Sequence, residues 1–181
     1  MLSPIQKRKL SYLFEIFDAN HNGELEFEDF QYVGKNICAG LKIDSDFVDY
    51  DRIMRICKDM YAKAICKISP GLHDPITLEK WLEYFSRSSD NAIVDEFVNL
   101  TVNYVFGAFD EDRDGNININ EYANMFRVYG IDTTYSEKGF RQVDTDGNQE
   151  ISKEELQDAL TEFLTSPDPN ARGNWIFGNW N

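Results

Sequence analysis

Three stretches of the chain place oxygen-bearing side chains at the same intervals. Asp18, Asn20 and Asn22 are followed by Glu24 and Asp29; Asp110, Asp112 and Asp114 by Asn116 and Glu121; Asp144, Asp146 and Asn148 by Glu150 and Glu155. Counting the first residue as position 1, oxygens stand at positions 1, 3 and 5 and a carboxylate at position 12. Side chains of this type at this spacing suit one chemistry, the enclosure of a hard cation. Calcium takes about six to eight oxygens, with position 7 giving a backbone carbonyl, position 9 acting directly or through water, and a Glu at position 12 giving two oxygens. Position 6 wants glycine for a sharp turn, and position 8 wants an aliphatic residue to pair with a neighbouring loop. The spacing is that of the EF-hand loop, and it predicts three calcium sites.

The three loops differ in completeness. The loop from Asp110 meets every demand, with Gly115 at position 6, Ile117 at 8, Asn118 at 9 and Glu121 at 12. The loop from Asp144 has Ser152 at position 9 and Glu155 at 12, but Gln149 stands at position 6 and Gly147 at position 4. A non-glycine residue in the left-handed region costs roughly 1–2 kcal/mol, so this site is expected to be weaker than the one before it. The loop from Asp18 has Gly23 at position 6 and Glu26 at 9, with Asp29 at position 12. Aspartate is one methylene shorter than glutamate, so bidentate contact is harder. Six-fold coordination is the magnesium preference, and this loop is expected to be a mixed calcium/magnesium site. His21 and His73 lie in loops and are not expected to be ligands. There is no Cys/His cluster of zinc type, no glycine-rich phosphate loop and no nucleophile–base arrangement, so an enzyme is not expected.

Helices must hold these loops. Before the first, Leu10, Leu13, Phe14 and Phe17 fall at helical spacing; Val102, Val105, Phe106 and Phe109 repeat the pattern before Asp110. Phe30, Val33 and Ile37 follow the first loop, Tyr122, Met125, Phe126 and Tyr129 the one from Asp110, and Leu156, Ala159, Leu160 and Phe163 the one from Asp144. Each set makes one apolar stripe. Ser3-Pro4 reads as the start of the first helix. A fourth unit is legible in Tyr61, Ala64, Ile65 and Ile68 before Ile76-Thr77, with Trp81, Tyr84 and Phe85 after it. Aligning Ile76 to position 8 puts Ser69 at position 1 and Lys80 at position 12, so the helices survive and the ligands do not.

The resulting fold class is all-α: two pairs of helix-loop-helix hands in one compact unit, with short antiparallel loop-loop contacts through Leu25, Ile76, Ile117 and Ile151. Helices are predicted over 4–17, 27–39, 46–68, 77–87, 91–109, 119–129, 135–143 and 153–165. The division is an N-terminal pair over 1–88 with its second hand degenerate, a C-terminal pair over 89–165, and a tail over 166–181. The polar stretch Ser86–Asn91 forms the junction between the pairs.

The formal net charge of −14 disfavours nucleic acid and anionic membranes as partners, since both need a basic face. The three cysteines, Cys38, Cys57 and Cys66, are expected to be reduced and buried. The N-terminal stretch lacks an apolar h-region and a second-position glycine, and no apolar run would span a bilayer. A cytoplasmic location is the expectation. The segment Ser166–Asn181 carries Trp175, Ile176, Phe177 and Trp180 among Pro and Gly. Left in water such a cluster invites aggregation, so it is expected to plug the cleft between hands.

Four hands with a dead second loop, a long third helix, the G-N-W-I-F-G tail and the first loop ending in Asp29 resemble the sarcoplasmic calcium-binding protein and calexcitin group. The resemblance covers nearly the whole chain. It implies a compact, cytosolic, largely monomeric protein that buffers calcium and magnesium. A calexcitin-like sensor, binding a protein or membrane target through an apolar cleft, is the alternative. Photoprotein and luciferin-binding relatives share the four-hand plan, which makes a luciferin-type ligand carrier a minor third reading. Against that reading, neither histidine stands at an apolar helical position.

Overall fold

The computed structural model describes residues 2–68, 75–87 and 91–180. Among the described residues eight α-helices are joined by loops that carry two-residue strands: α1 Pro4–Phe17, β1 Glu24–Leu25, α2 Phe27–Gly40, α3 Val48–Met60, β2 Ile76–Thr77, α4 Leu78–Arg87, α5 Asn91–Phe109, β3 Ile117–Asn118, α6 Ile119–Val128, α7 Ser136–Val143, β4 Glu150–Ile151 and α8 Lys153–Thr165. Helix α3 continues as a π-helical turn, Tyr61–Ile65, and short 3₁₀ turns cover Thr133–Tyr135 and Arg172–Trp175. The third predicted helix, 46–68, therefore begins two residues late and changes pitch near its end. Such wide turns are found mostly inside longer helices.

Helix α1 starts as the sequence dictates. The Ser3 hydroxyl accepts from the Gln6 N–H at 3.2 Å and the Gln6 side chain accepts from the Ser3 N–H at 2.9 Å, with Pro4 at the first helical position. Together these satisfy two otherwise orphaned amide donors.

Strand β1 pairs antiparallel with β2, Leu25 facing Ile76, and β3 pairs with β4, Ile117 facing Ile151. All four position-8 residues are buried. The second hand thus keeps its strand although its loop carries no ligand pattern; residues 69–74 of that loop, with His73, and residues 88–90 of the expected junction lie outside the described residues. In place of the position-12 carboxylate, Lys80 donates its ammonium to the Pro75 carbonyl at 3.0 Å.

Aromatic rings fill the centre. Trp81 is fully buried, donates its indole N–H to the Leu10 carbonyl at 2.9 Å, and takes edge contacts from Phe14, Phe17, Phe85 and Phe97. Tyr129, the C-cap of α6, touches Phe17 of the first hand and Phe109 of the third, so these two hands share one core. Its hydroxyl lies 2.5 Å from that of Tyr104. Cys38 and Cys57 are buried free thiols, as expected, whereas Cys66 is only partly covered.

The tail is seated. Ala171, Gly173, Asn174, Ile176, Phe177 and Gly178 are all buried, packed on α7 and α8. The Gly173 N–H donates to the Glu162 carboxylate, Tyr122 donates its hydroxyl to the Ile176 carbonyl at 2.6 Å, and Tyr12 donates to the Phe177 carbonyl at 2.8 Å. Lys9 of α1 closes the seat. It is fully buried, and its ammonium donates to the Ser166 carbonyl at 2.8 Å and the Asn174 side chain at 2.9 Å. The face of Phe163 lies 5.4 Å from the ammonium.

Candidate metal centre

The three predicted loops are one geometry built three times. The position-3 side chain accepts from the N–H of position 5: Asn20 from Asn22 at 2.9 Å, Asp112 from Asp114 at 3.2 Å, Asp146 from Asn148 at 3.0 Å. The position-5 side chain accepts from position 7: Asn22 from Glu24 at 2.9 Å, Asp114 from Asn116 at 2.8 Å, Asn148 from Glu150 at 2.8 Å. The position-1 carboxylate accepts from position 6: Asp18 from Gly23 at 2.8 Å, Asp110 from Gly115 at 3.1 Å, Asp144 from Gln149 at 3.1 Å. Asp and Asn bond in this way to amides a few residues on because their side chains mimic a backbone turn. The wrap of the loop is therefore encoded by the residue types that supply its oxygens.

Position 12 serves loop and helix together. In each loop position 9 is the N-cap of the exit helix and position 12 its third residue, and the position-12 carboxylate accepts from the N-cap N–H: Asp29 from Glu26 at 2.8 Å, Glu121 from Asn118 at 2.8 Å, Glu155 from Ser152 at 2.9 Å. The carboxylate also sits at the positive end of the helix dipole. Its other oxygen reaches back to the N–H of position 2, Glu111 for Glu121 and Thr145 for Glu155, both at 2.8 Å. Asp29, a methylene shorter, meets position 3 instead, accepting from the Asn20 N–H at 3.2 Å.

Electrostatics differ between the loops. Asp29 and Glu121 are buried, and burial raises both carboxyls above their ordinary range against the pull of the backbone donors. Glu155 is also pushed up by what burial it has. Hydrogen bonds from the Ser152 and Thr145 backbone and hydroxyl groups outweigh this and hold it at about 2. The hydroxyl of Thr145 is a contributor the spacing argument did not single out, because position 2 carries no ligand role. A second unforeseen link joins two loops: the Asn116 amide donates to the Glu150 carboxylate at 2.9 Å, beside the β3–β4 ladder.

Backbone conformation alters the expectation for the loop from Asp144. Gln149 does adopt a positive φ, +73°. Position 4 is left-handed as well, however, with His21 at +57°, Arg113 at +62° and Gly147 at +74°. At position 6 the first and third hands use Gly23 at +86° and Gly115 at +91°. Each of these three loops therefore turns twice into the left-handed region and supplies one glycine and one side-chain-bearing residue. The loop from Asp144 reverses the order and carries no extra strained position, so strain gives no ground for expecting it to be weaker than the loop from Asp110. His21 is exposed at its turn, consistent with a conformational role.

The residues fit a cation. Asp110, Asp112 and Asp114 bring carboxylate oxygens within 4.8 Å of one another, as do Asp144, Asp146 and Glu155. Asp110 Oδ1 is buried with no hydrogen-bond partner. An unpartnered buried carboxylate oxygen is costly unless a positive charge meets it. The first loop brings two carboxylates, Asp18 and Asp29, both buried, together with the amides of Asn20 and Asn22. Among the described residues no helix is long and apolar enough to cross a membrane.

Comparison with known proteins points the same way. A family model described as an EF-hand domain pair matches residues 83–129, and one described as an EF hand matches 11–32 and 137–160. Calerythrin of Saccharopolyspora erythraea is 25% identical over 170 residues, covering 90% of this chain and 94% of its own. Sarcoplasmic calcium-binding proteins I, III and IV of Branchiostoma lanceolatum are 20% identical over 182 residues, covering 98% of each chain. Among solved structures, the coelenterazine-binding protein of Renilla muelleri superposes with a TM-score of 0.75 at 15% identity, over 98% of this chain and 99% of that one.

Proposed function

We propose, from the premise that the chain belongs to the EF-hand family of sarcoplasmic calcium-binding protein-like chains, that it binds calcium at three loops and serves as a cytoplasmic calcium/magnesium buffer. The ligands are Asp18, Asn20, Asn22, Glu24 and Asp29; Asp110, Asp112, Asp114, Asn116 and Glu121; and Asp144, Asp146, Asn148, Glu150 and Glu155. Positions 1, 3, 5 and 12 act through side chains and position 7 through its carbonyl. The first loop, with its short Asp29, accepts magnesium as well. The protein acts as a monomer of two hand pairs, 1–88 and 89–165, closed by the tail 166–181.

The seated tail carries the choice of buffer over sensor. A sensor opens to expose an apolar groove, and here Ile176 and Phe177, 1% and 6% exposed, lie where such a groove would take a target. Calorimetric calcium titration with and without magnesium, alongside an apolar-surface dye, tests the proposal. Three binding events, weakened by magnesium and silent to the dye, are expected. A calcium-triggered dye signal refutes the buffer and makes the protein a sensor.

A further inference from the structure

We propose that the seated tail is a positioning element for the loop from Asp144: it wedges between the two helices of the last hand, fixes the spacing of Asp144 and Glu155, and so raises the affinity of that loop for calcium. The proposal rests on the calcium reading above and deepens it. Asp144 and Glu155 are direct extensions of the two helices. Asp144 is the C-cap of α7, its N–H donating to the Phe140 carbonyl at 2.8 Å, and Glu155 is the third residue of α8. How α7 and α8 lie relative to one another therefore sets the separation of the position-1 and position-12 carboxylates.

The turn Arg172–Trp175 packs on both helices. On the α8 side the bare backbone of Gly173 meets the helix backbone: a Cβ there would lie 2.2 Å from the Ala159 carbonyl oxygen, and the Gly173 N–H donates to the Glu162 carboxylate at 2.6 Å. On the α7 side the bare residue belongs to the helix: a Cβ on Gly139 would lie 2.6 Å from the Trp175 carbonyl oxygen. Lys138 of the same helix holds its ammonium 3.3 Å from the centre of the Trp175 ring. At both glycines the tail and a helix meet without a side chain between them to absorb a change in helix spacing, and close-packed interiors transmit such strain. Glu162 lies on the face of α8 that carries Glu155, and one cleft runs from Arg172 and Gly173 past Glu162 to Glu155 and Thr145. The tail reaches α1 differently, through the side chains of Lys9 and Tyr12, so the loop from Asp18 should depend on it less. Holding a site in its binding geometry raises affinity by removing the cost of ordering it. A segment that stays seated supplies that gain without opening a groove, as a buffer requires.

The test uses the full chain, calcium alone as ligand, and two charge-neutral variants, Gly173→Ala and Phe177→Ala; the Phe177 ring meets Phe163 of α8 edge-on at 5.3 Å. The position-6 amides of Gly23, Gly115 and Gln149 donate to their position-1 carboxylates, so NMR of these signals follows the filling of each loop separately. Both variants should weaken the loop from Asp144 at least about fivefold, the lower end of ordinary coupling between sites, and the loop from Asp18 less than about twofold. Linkage is reciprocal, so calcium should slow hydrogen exchange of the Gly173 amide in the parent by the same factor. That readout needs no variant, and a tail that opens without disturbing the loop leaves it unmoved. Equal weakening of both loops, or Gly173 exchange indifferent to calcium, overturns the proposal. So does unchanged affinity at the loop from Asp144 in a variant whose tryptophan emission shows the tail released, with the calcium reading left intact. A Gln149 signal that calcium fails to move in the parent refutes the calcium reading at that loop instead.

Discussion

Substitution of Gly173 by alanine should unseat the tail. A Cβ at this position would lie 2.2 Å from the Ala159 carbonyl oxygen, 2.9 Å from Glu162 Cβ and 3.0 Å from the Phe163 N–H nitrogen. Two of the three are backbone atoms of α8, which cannot rotate aside. The tail must retreat by about 1 Å to restore normal contact, enough to break the charge-assisted bond from the Gly173 N–H to Glu162. Such a bond contributes about 1.5–3 kcal/mol, and overpacking adds about 1–3 kcal/mol. The two overlap, because retreat relieves the clash by giving up the bond, so a loss of about 2–4 kcal/mol is expected. Urea denaturation at fixed calcium measures it through the midpoint, with Trp175 and Trp180 fluorescence reporting tail position. The dye silent in the parent should respond in G173A. A variant within about 0.5 kcal/mol of the parent, with unchanged tryptophan emission, would refute the docked tail and the buffer argument that depends on it.

Other consequences are as direct. Gln149→Gly should strengthen the site at Asp144–Glu155 by no more than about fivefold, and Gly147→Ala should weaken it or destabilise the fold by about 1 kcal/mol; calorimetry and denaturation together detect both, and a neutral Gly147→Ala would show that position 4 bears no strain. Asp29→Glu should raise calcium-over-magnesium preference at the first loop about tenfold by restoring a two-oxygen contact, and unchanged selectivity on titration sinks that account. Lys9 gives a pH signature: burial lowers its ammonium to about 8, against the pull of Glu162 and Asp168, whereas the unfolded amine titrates near 10.5. The unfolded chain therefore binds more protons between these values, and stability should rise through that window by up to about 3 kcal/mol. Above about pH 10 the raised hydroxyls of Tyr104, Tyr122 and Tyr129 reverse the trend. Because Lys9→Met lacks the titrating group, a difference curve against it that stays flat from pH 8 to 10.5 would contradict this reading.

What the sequence made legible was what local chemistry encodes. The helix starts, the strand pairing through Leu25, Ile76, Ile117 and Ile151, and the wrap of the loops follow from residues acting on neighbours a few positions away. What it hid depends on distant parts of the chain. Nothing near Lys9 announces a buried ammonium, because its acceptors, Ser166 and Asn174, arrive with the tail. Glycine at Gly139 reads as a weak helix residue until the Trp175 carbonyl is found 2.6 Å from where its Cβ would be. The tail backbone needs that bare face.

The reversed glycine of the last loop lies between these cases. One EF-hand loop read alone makes position 6 the glycine position and Gln149 an error. Three loops read together show that the demand is for two left-handed residues, and that one glycine at either turn meets it equally. His21 and Arg113 carried this information in the sequence, as residues without a ligand role at position 4. It becomes legible only when φ is attached to them. Conformational requirement and ligand requirement are separate constraints on the same twelve positions, and a loop can depart from the familiar pattern in one while satisfying the other in full.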